Sequence, residues 1–216
     1  MQKGLAYMAE RKYPAAVLEF KNAVQLDPND AQAHYQLGLA HLQMTAEHRD
    51  RGALTDLRAA FRALNRSVQL DTKNIDAQLK LGELYLLAKD ATEAQAKAEF
   101  VLKNAADNEV PSLAAAHYYL GVAQVYNQKP RMAKAAFDTA IKLWPQFPAA
   151  SMALLKLHMQ EHAFSEAIEA GKKVLQLQPN NVEAHMGTHL RRDTVIPQWF
   201  QASKAAAASD GHAVHY

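Results

Sequence analysis

The chain of 216 residues has no cysteine. Disulfides and any chemistry that needs a thiol are therefore excluded, and the compartment stays open, cytoplasmic or periplasmic. It has no surplus of either charge: 24 Lys and Arg stand against 22 Asp and Glu. No basic excess points to nucleic acid, and no long charge block marks a tail. Nowhere does the sequence approach the roughly 18 uninterrupted apolar residues of a membrane-crossing helix. The opening residues 1–12 lack the apolar core of a signal peptide. There is no Gly-rich phosphate loop and no nucleophile motif, so neither a cofactor nor catalysis is expected.

What the sequence does have is a repeat. Residues 114–147 read AAAHYYLGVAQVYNQKPRMAKAAFDTAIKLWPQF. Apolar residues recur there at three- and four-residue spacing in two runs, each an amphipathic helix. Asn127 to Pro130 separates the runs, and Pro130 suits the first turn of the second helix. Gly4, Gly38, Gly82 and Gly121 fall at one equivalent slot, continued by Leu155 and His189, in steps of 34, 44, 39, 34 and 34 residues. Pro145 and Pro179 are also 34 apart. In the second helices, Ala16, Phe20 and Ala23 match Ala133, Phe137 and Ala140, with weaker copies at Ala60/Leu64, Ala94/Ala98 and Ala167/Gly171. A small residue at the Gly slot lets two helices cross almost in contact. One pair cannot bury its apolar surface alone, whereas stacked pairs share a continuous core.

These residues resemble the tetratricopeptide repeat family, a 34-residue helix–turn–helix with a W-x2-L-G-x2-Y…A-x3-F…P pattern. Leu37-Gly38, Leu81-Gly82 with Tyr85, Leu120-Gly121, Gly4 with Tyr7, Phe20, Phe137, Pro28, Pro145 and Pro179 carry it. The first aromatic slot departs from the pattern, holding His34, His117 and His185 instead of Trp. The resemblance implies an all-α, right-handed superhelical solenoid of about five repeats and a partial sixth. The repeats fall at 1–30, 31–74, 75–113, 114–147, 148–181 and 182–190. Those beginning near Ala31 and Ile75 carry insertions of 10 and 5 residues. Gly4 already occupies the eighth slot of its repeat, which suggests a natural protein that extends upstream. Residues 191–216 leave the pattern. Within them 197–208 reads as a short helix, with Trp199 and Phe200 either capping the array or lying in disordered chain.

Along the second repeat, Leu54, Leu57, Phe61, Leu64 and Val68 form an expected buried stripe on a long helix. Arg51, Arg58, Arg62 and Arg66 follow another face, either a solvated surface or a strip for an acidic partner. Asp30 is the expected N-cap of the helix that follows it. His158, Glu161 and His162 match the H-x-x-E-H pattern of inverted zinc peptidases. The register argues against a metal, because His158 takes the inner slot that Tyr7, His41 and Tyr85 hold elsewhere. His162 falls near a helix–helix turn, and no third ligand suggests itself. A zinc hydrolase is the remotest reading.

The family resemblance implies that five slots of each first helix face a concave binding surface. These give Tyr35, Leu39 and Leu42; then Leu79, Glu83, Leu86 and Leu87; then Tyr118, Val122, Val125 and Tyr126; and finally Met152, Lys156 and Met159. Leu5 and Met8 extend the set. The surface is apolar, and it lacks the Lys, Asn and Arg set with which related domains clamp a chaperone's C-terminal carboxylate. The expected function is a non-catalytic scaffold that binds an apolar or amphipathic protein segment. The alternative is self-association through open repeat ends, giving a homo-oligomer. Residues 18–42 and 77–102 also resemble repeats of bacterial envelope lipoproteins tied to exopolysaccharide export and protein sorting, without their lipidated cysteine.

Overall fold

The computed structural model describes residues 1–47 and 51–188. His189, residues 191–216 with the expected helix at 197–208, and the centre of the Thr45–Thr55 insertion lie outside the described residues. The described chain is all-α, without a strand, and its helices form two compact units, one of Met1–Trp144 and one beginning at Pro145.

In the first unit, α1 (Gln2–Ala9) pairs with α2 (Tyr13–Leu26) and α3 (Ala31–Glu47) with α4 (Arg51–Leu70). Then α5 (Ile75–Leu87) pairs with α6 (Ala91–Asn104), and α7 (Val110–Tyr126) with α8 (Pro130–Leu143). Each helix packs on the next along the chain, and α5 also packs on α7. In the second unit α9 (Pro148–Gln160) pairs with α10 (Phe164–Leu177), and α11 (Val182–Thr188) packs on both.

Local chemistry sets the starts. The side chains of Asp30, Asn74, Asp90 and Asn181 accept from the N–H three residues on, at 2.9–3.1 Å, satisfying donors the helix leaves free. Pro14, Pro111, Pro130 and Pro148 each lie in a first turn. Pro111 therefore opens α7 at Val110, four residues before the Ala114 expected from the repeat spacing.

The first helices of four pairs end alike. Arg11, Lys89, Gln128 and His162 have φ of 57–59°. At each, the N–H bonds the carbonyl three residues back, and the next N–H bonds the carbonyl five back. This is the Schellman arrangement, here made without glycine.

Where the helices cross, bulk is matched. A Cβ on Gly4 would stand 2.5 Å from the Phe20 ring, one on Gly38 2.6 Å from Leu64, and one on Gly121 2.5 Å from Phe137. In the fifth pair the sizes are exchanged. Leu155 holds the glycine slot, buried, and Gly171 stands where Phe137 stands in the fourth. In the third pair the Gly82 Cβ position has Lys97 Cβ of α6 and the Tyr119 ring of α7 nearest to it, each at 3.4 Å.

Both helices of the second pair are long. At 20 residues α4 exceeds each 14-residue second helix by six, about 9 Å of added length. Its stripe is not buried throughout. Leu64 and Val68 pack in a core with Ala77, Leu81 and Leu84, and Phe61 meets Tyr85 edge-on at 5.4 Å. Leu57 is half-buried and Leu54 is 53% exposed, because α5 ends at Leu87 and nothing described covers the overshooting end. On its other side, buried His41 donates to Asp56 at 2.9 Å and ties α3 to the lengthened α4.

Candidate functional site

The first helices of the first unit present the face expected to bind. On α3, Tyr35, Leu39 and Leu42 are half-buried, Tyr35 and Leu42 resting on the core around Leu64. Burial and the Asp76 charge push the Tyr35 hydroxyl up to about 12, so it stays a neutral donor.

On α5 the expected set divides. Leu87 is 63% exposed, whereas Leu79 and Leu86 are buried. Leu79 packs with Ala98, Val101 and Ala116, and Leu86 with Ala91, Ala94 and Ala123. Both therefore belong to the core rather than to an open surface. The helix is apolar on several faces at once, so slot number alone does not say which leucines a neighbour covers. Glu83 is held by Lys80 at 2.9 Å, and burial and the Glu83 charge push the ionisation of the Tyr119 hydroxyl well above its ordinary range.

On α7, Tyr118 packs against Phe137 at 5.9 Å, and Val122 and Val125 are half-buried. Tyr126 at the helix end is 44% exposed. Leu5 on α1 is also exposed, and Met8 rests on the core around Phe20. In the second unit, Met152 and Met159 are half-buried on α9, and exposed Lys156 pairs with Glu183 of α11 at 3.2 Å.

The histidines divide by role. His34 and His185 each donate from Nε2 to the carbonyl of the residue six positions back, Pro28 at 3.1 Å and Pro179 at 2.7 Å. Gln78, at the same slot, donates to the Thr72 carbonyl at 3.0 Å. The slot thus uses a polar donor to fasten the preceding turn, a job that the residue type alone does not announce. Burial lowers the His117 pKa from its ordinary value.

The H-x-x-E-H residues do not share a helical face. α9 ends at Gln160, and His162 sits in the left-handed turn beyond it, with its ring 5.9 Å from Phe164. His158 is buried, with an Nδ1 that has no partner among the described residues. Two imidazoles four residues apart converge on one ion only when the helix continues through both.

Consecutive antiparallel helix pairs, each packed on the next within its unit, define an α-solenoid of the protein-interaction class. Two family models described as TPR repeat and tetratricopeptide repeat match residues 4–44 and 120–182. The chain is a tetratricopeptide repeat protein. Such proteins are generally non-catalytic scaffolds that mediate protein partnerships.

Solved structures share the fold. PilF of Pseudomonas aeruginosa is 18% identical with a TM-score of 0.66, over 95% of each chain. MamA of Desulfovibrio magneticus RS-1, from residue 41 to its end, is 20% identical with a TM-score of 0.66, over 84% of this chain and 94% of that one. PilW, a type IV pilus biogenesis factor, is 16% identical with a TM-score of 0.66, over 94% and 95%. Comparison with curated proteins by sequence finds no match. Among the described residues, no helix is long and apolar enough to cross a membrane.

Proposed function

We propose that this chain is a non-catalytic scaffold whose first unit takes an apolar or amphipathic protein segment against the first-helix face of α3, α5 and α7. The observation that carries the reading is the chemistry of that face. Tyr35, Leu39, Leu42, Leu87, Tyr118, Val122, Val125 and Tyr126 are exposed or half-buried there, with Glu83 as a fixed carboxylate. Tyrosines offer broad contact area and a hydroxyl at little entropic cost, which suits a face that seats a partner's apolar side chains. Leu79 and Leu86 act from behind it, as packing.

The test is affinity capture from the source lysate with the native chain, Tyr126→Glu and Tyr126→Phe. Tyr126 is exposed, so neither change disturbs the core. A protein held by the native chain and by Tyr126→Phe but lost with Tyr126→Glu supports the reading. Equal capture by all three rejects it. A mass that rises with concentration in light scattering, and falls when exposed Met186 of α11 is made Glu, supports self-association instead.

A further inference from the structure

We propose that the overshooting end of α4 is a second docking site, distinct from the first-helix face, for an acidic amphipathic helix of a partner protein. The antiparallel register of α4 and α5 sets it up. Phe61 meets Tyr85, so each step toward the start of α4 moves toward the end of α5. That end comes at Leu87, with Ala88 as the cap. Beyond it Leu57 and Leu54 run on without a facing helix among the described residues. The step encloses a depression of about 720 Å³ floored by Leu54, Leu57, Phe61, Leu84 and Leu87. Leu54 and Leu87 are both more than half exposed.

Charge decides the occupant. Arg58 and Arg62 line the same depression, one helical turn apart. Neither makes a hydrogen bond or ion pair among the described residues, whereas Arg66, the next in the row, donates to Asn29 at 3.1 Å. Arg62 also borders a smaller hollow with Lys21 and Arg66, so the positive strip continues along the helix. Like charges at this spacing oppose helix formation, and an uncovered apolar floor adds no stability. A helix with apolar residues on one face and carboxylates beside them meets both needs. Residues 189–216 of this chain are not its complement: Arg191, Arg192 and Lys204 outnumber Asp193 and Asp210, a net charge of 3 − 2 = +1.

The test uses the full chain and a fluorescein-labelled model helix with Leu on one face flanked by Glu, read by fluorescence anisotropy. A twin carries Lys in place of Glu. The Glu helix is expected to bind and the Lys twin to fail. Arg58→Ala/Arg62→Ala should weaken binding about tenfold, the loss expected for two exposed charge pairs. Leu54→Ser should weaken it as well, and Met132→Ser, at an exposed position on α8 outside both faces, should leave it unchanged. Leu54, Arg58 and Arg62 are exposed, so these variants keep the fold, which melting by circular dichroism verifies. Absence of binding by the Glu helix, equal binding by its Lys twin, or no effect of the double Arg variant overturns the proposal. A native dimer that becomes monomeric in the double Arg variant makes a second copy the occupant and overturns it too.

Discussion

At the residue scale, each helix crossing is decided by one pair of side chains. Gly121 and Gly82 occupy the same slot, yet only Gly121 has a ring within 3 Å of its Cβ position. Gly121→Ala places a methyl 2.5 Å from Phe137 and should cost about 1–3 kcal/mol, as overpacked cores do. The nearest atoms to a Gly82 Cβ are 3.4 Å away, an ordinary contact. Gly82→Ala should therefore gain about 0.5–1 kcal/mol from helix propensity. Urea unfolding of both variants checks the pair, and equal losses would sink the size-matching account. His117 gives a pH dependence. Its folded pKa lies below its ordinary 6.5, so the unfolded chain binds the proton more readily. Its contribution to stability is present above about pH 6.5 and is lost as pH falls through the lower folded value. The drop in stability between about pH 8 and about pH 5 should thus be smaller in His117→Phe than in the native chain. The glycine slots were legible because their spacing repeats. The room made for Leu155 was not, because the glycine closest against it, Gly187, whose Cβ would stand 2.7 Å away, lies on α11, while one on Gly171 would stand 3.8 Å away.

At the scale of elements, helix existence was legible from periodicity, and proline and Asx residues marked the starts. The ends were harder to see. Arg11, Lys89, Gln128 and His162 adopt a left-handed conformation with no glycine to announce it. A side chain there costs about 1–2 kcal/mol, so Gln128→Gly should raise stability by about 0.5–1 kcal/mol, after the greater freedom of the unfolded glycine is subtracted. A higher urea midpoint at unchanged slope checks this, and a lower midpoint contradicts it. The His158–His162 spacing misleads for the same reason, since the backbone leaves the helix between them. The open end of α4 was also hidden. Its stripe has helical period throughout, and exposure follows from the length of α5, which the stripe itself does not encode.

At the scale of the whole molecule, the tetratricopeptide class was legible because period and residue type agree over most of the chain. The candidate face was legible only in outline. Slot positions nominate side chains, but Leu79 and Leu86 turn inward because α6 and α7 bring small residues against them. The exchange of bulk in the fifth pair has one more consequence. A helix bearing Gly121 laid on one bearing Gly171 would leave a hole, and Leu155 laid on Phe137 would collide. During synthesis, when several similar helices compete for partners, the fourth and fifth pairs are therefore keyed differently. A chain of similar repeats thus carries addresses, and a first helix that reaches for the wrong second helix is turned away by shape.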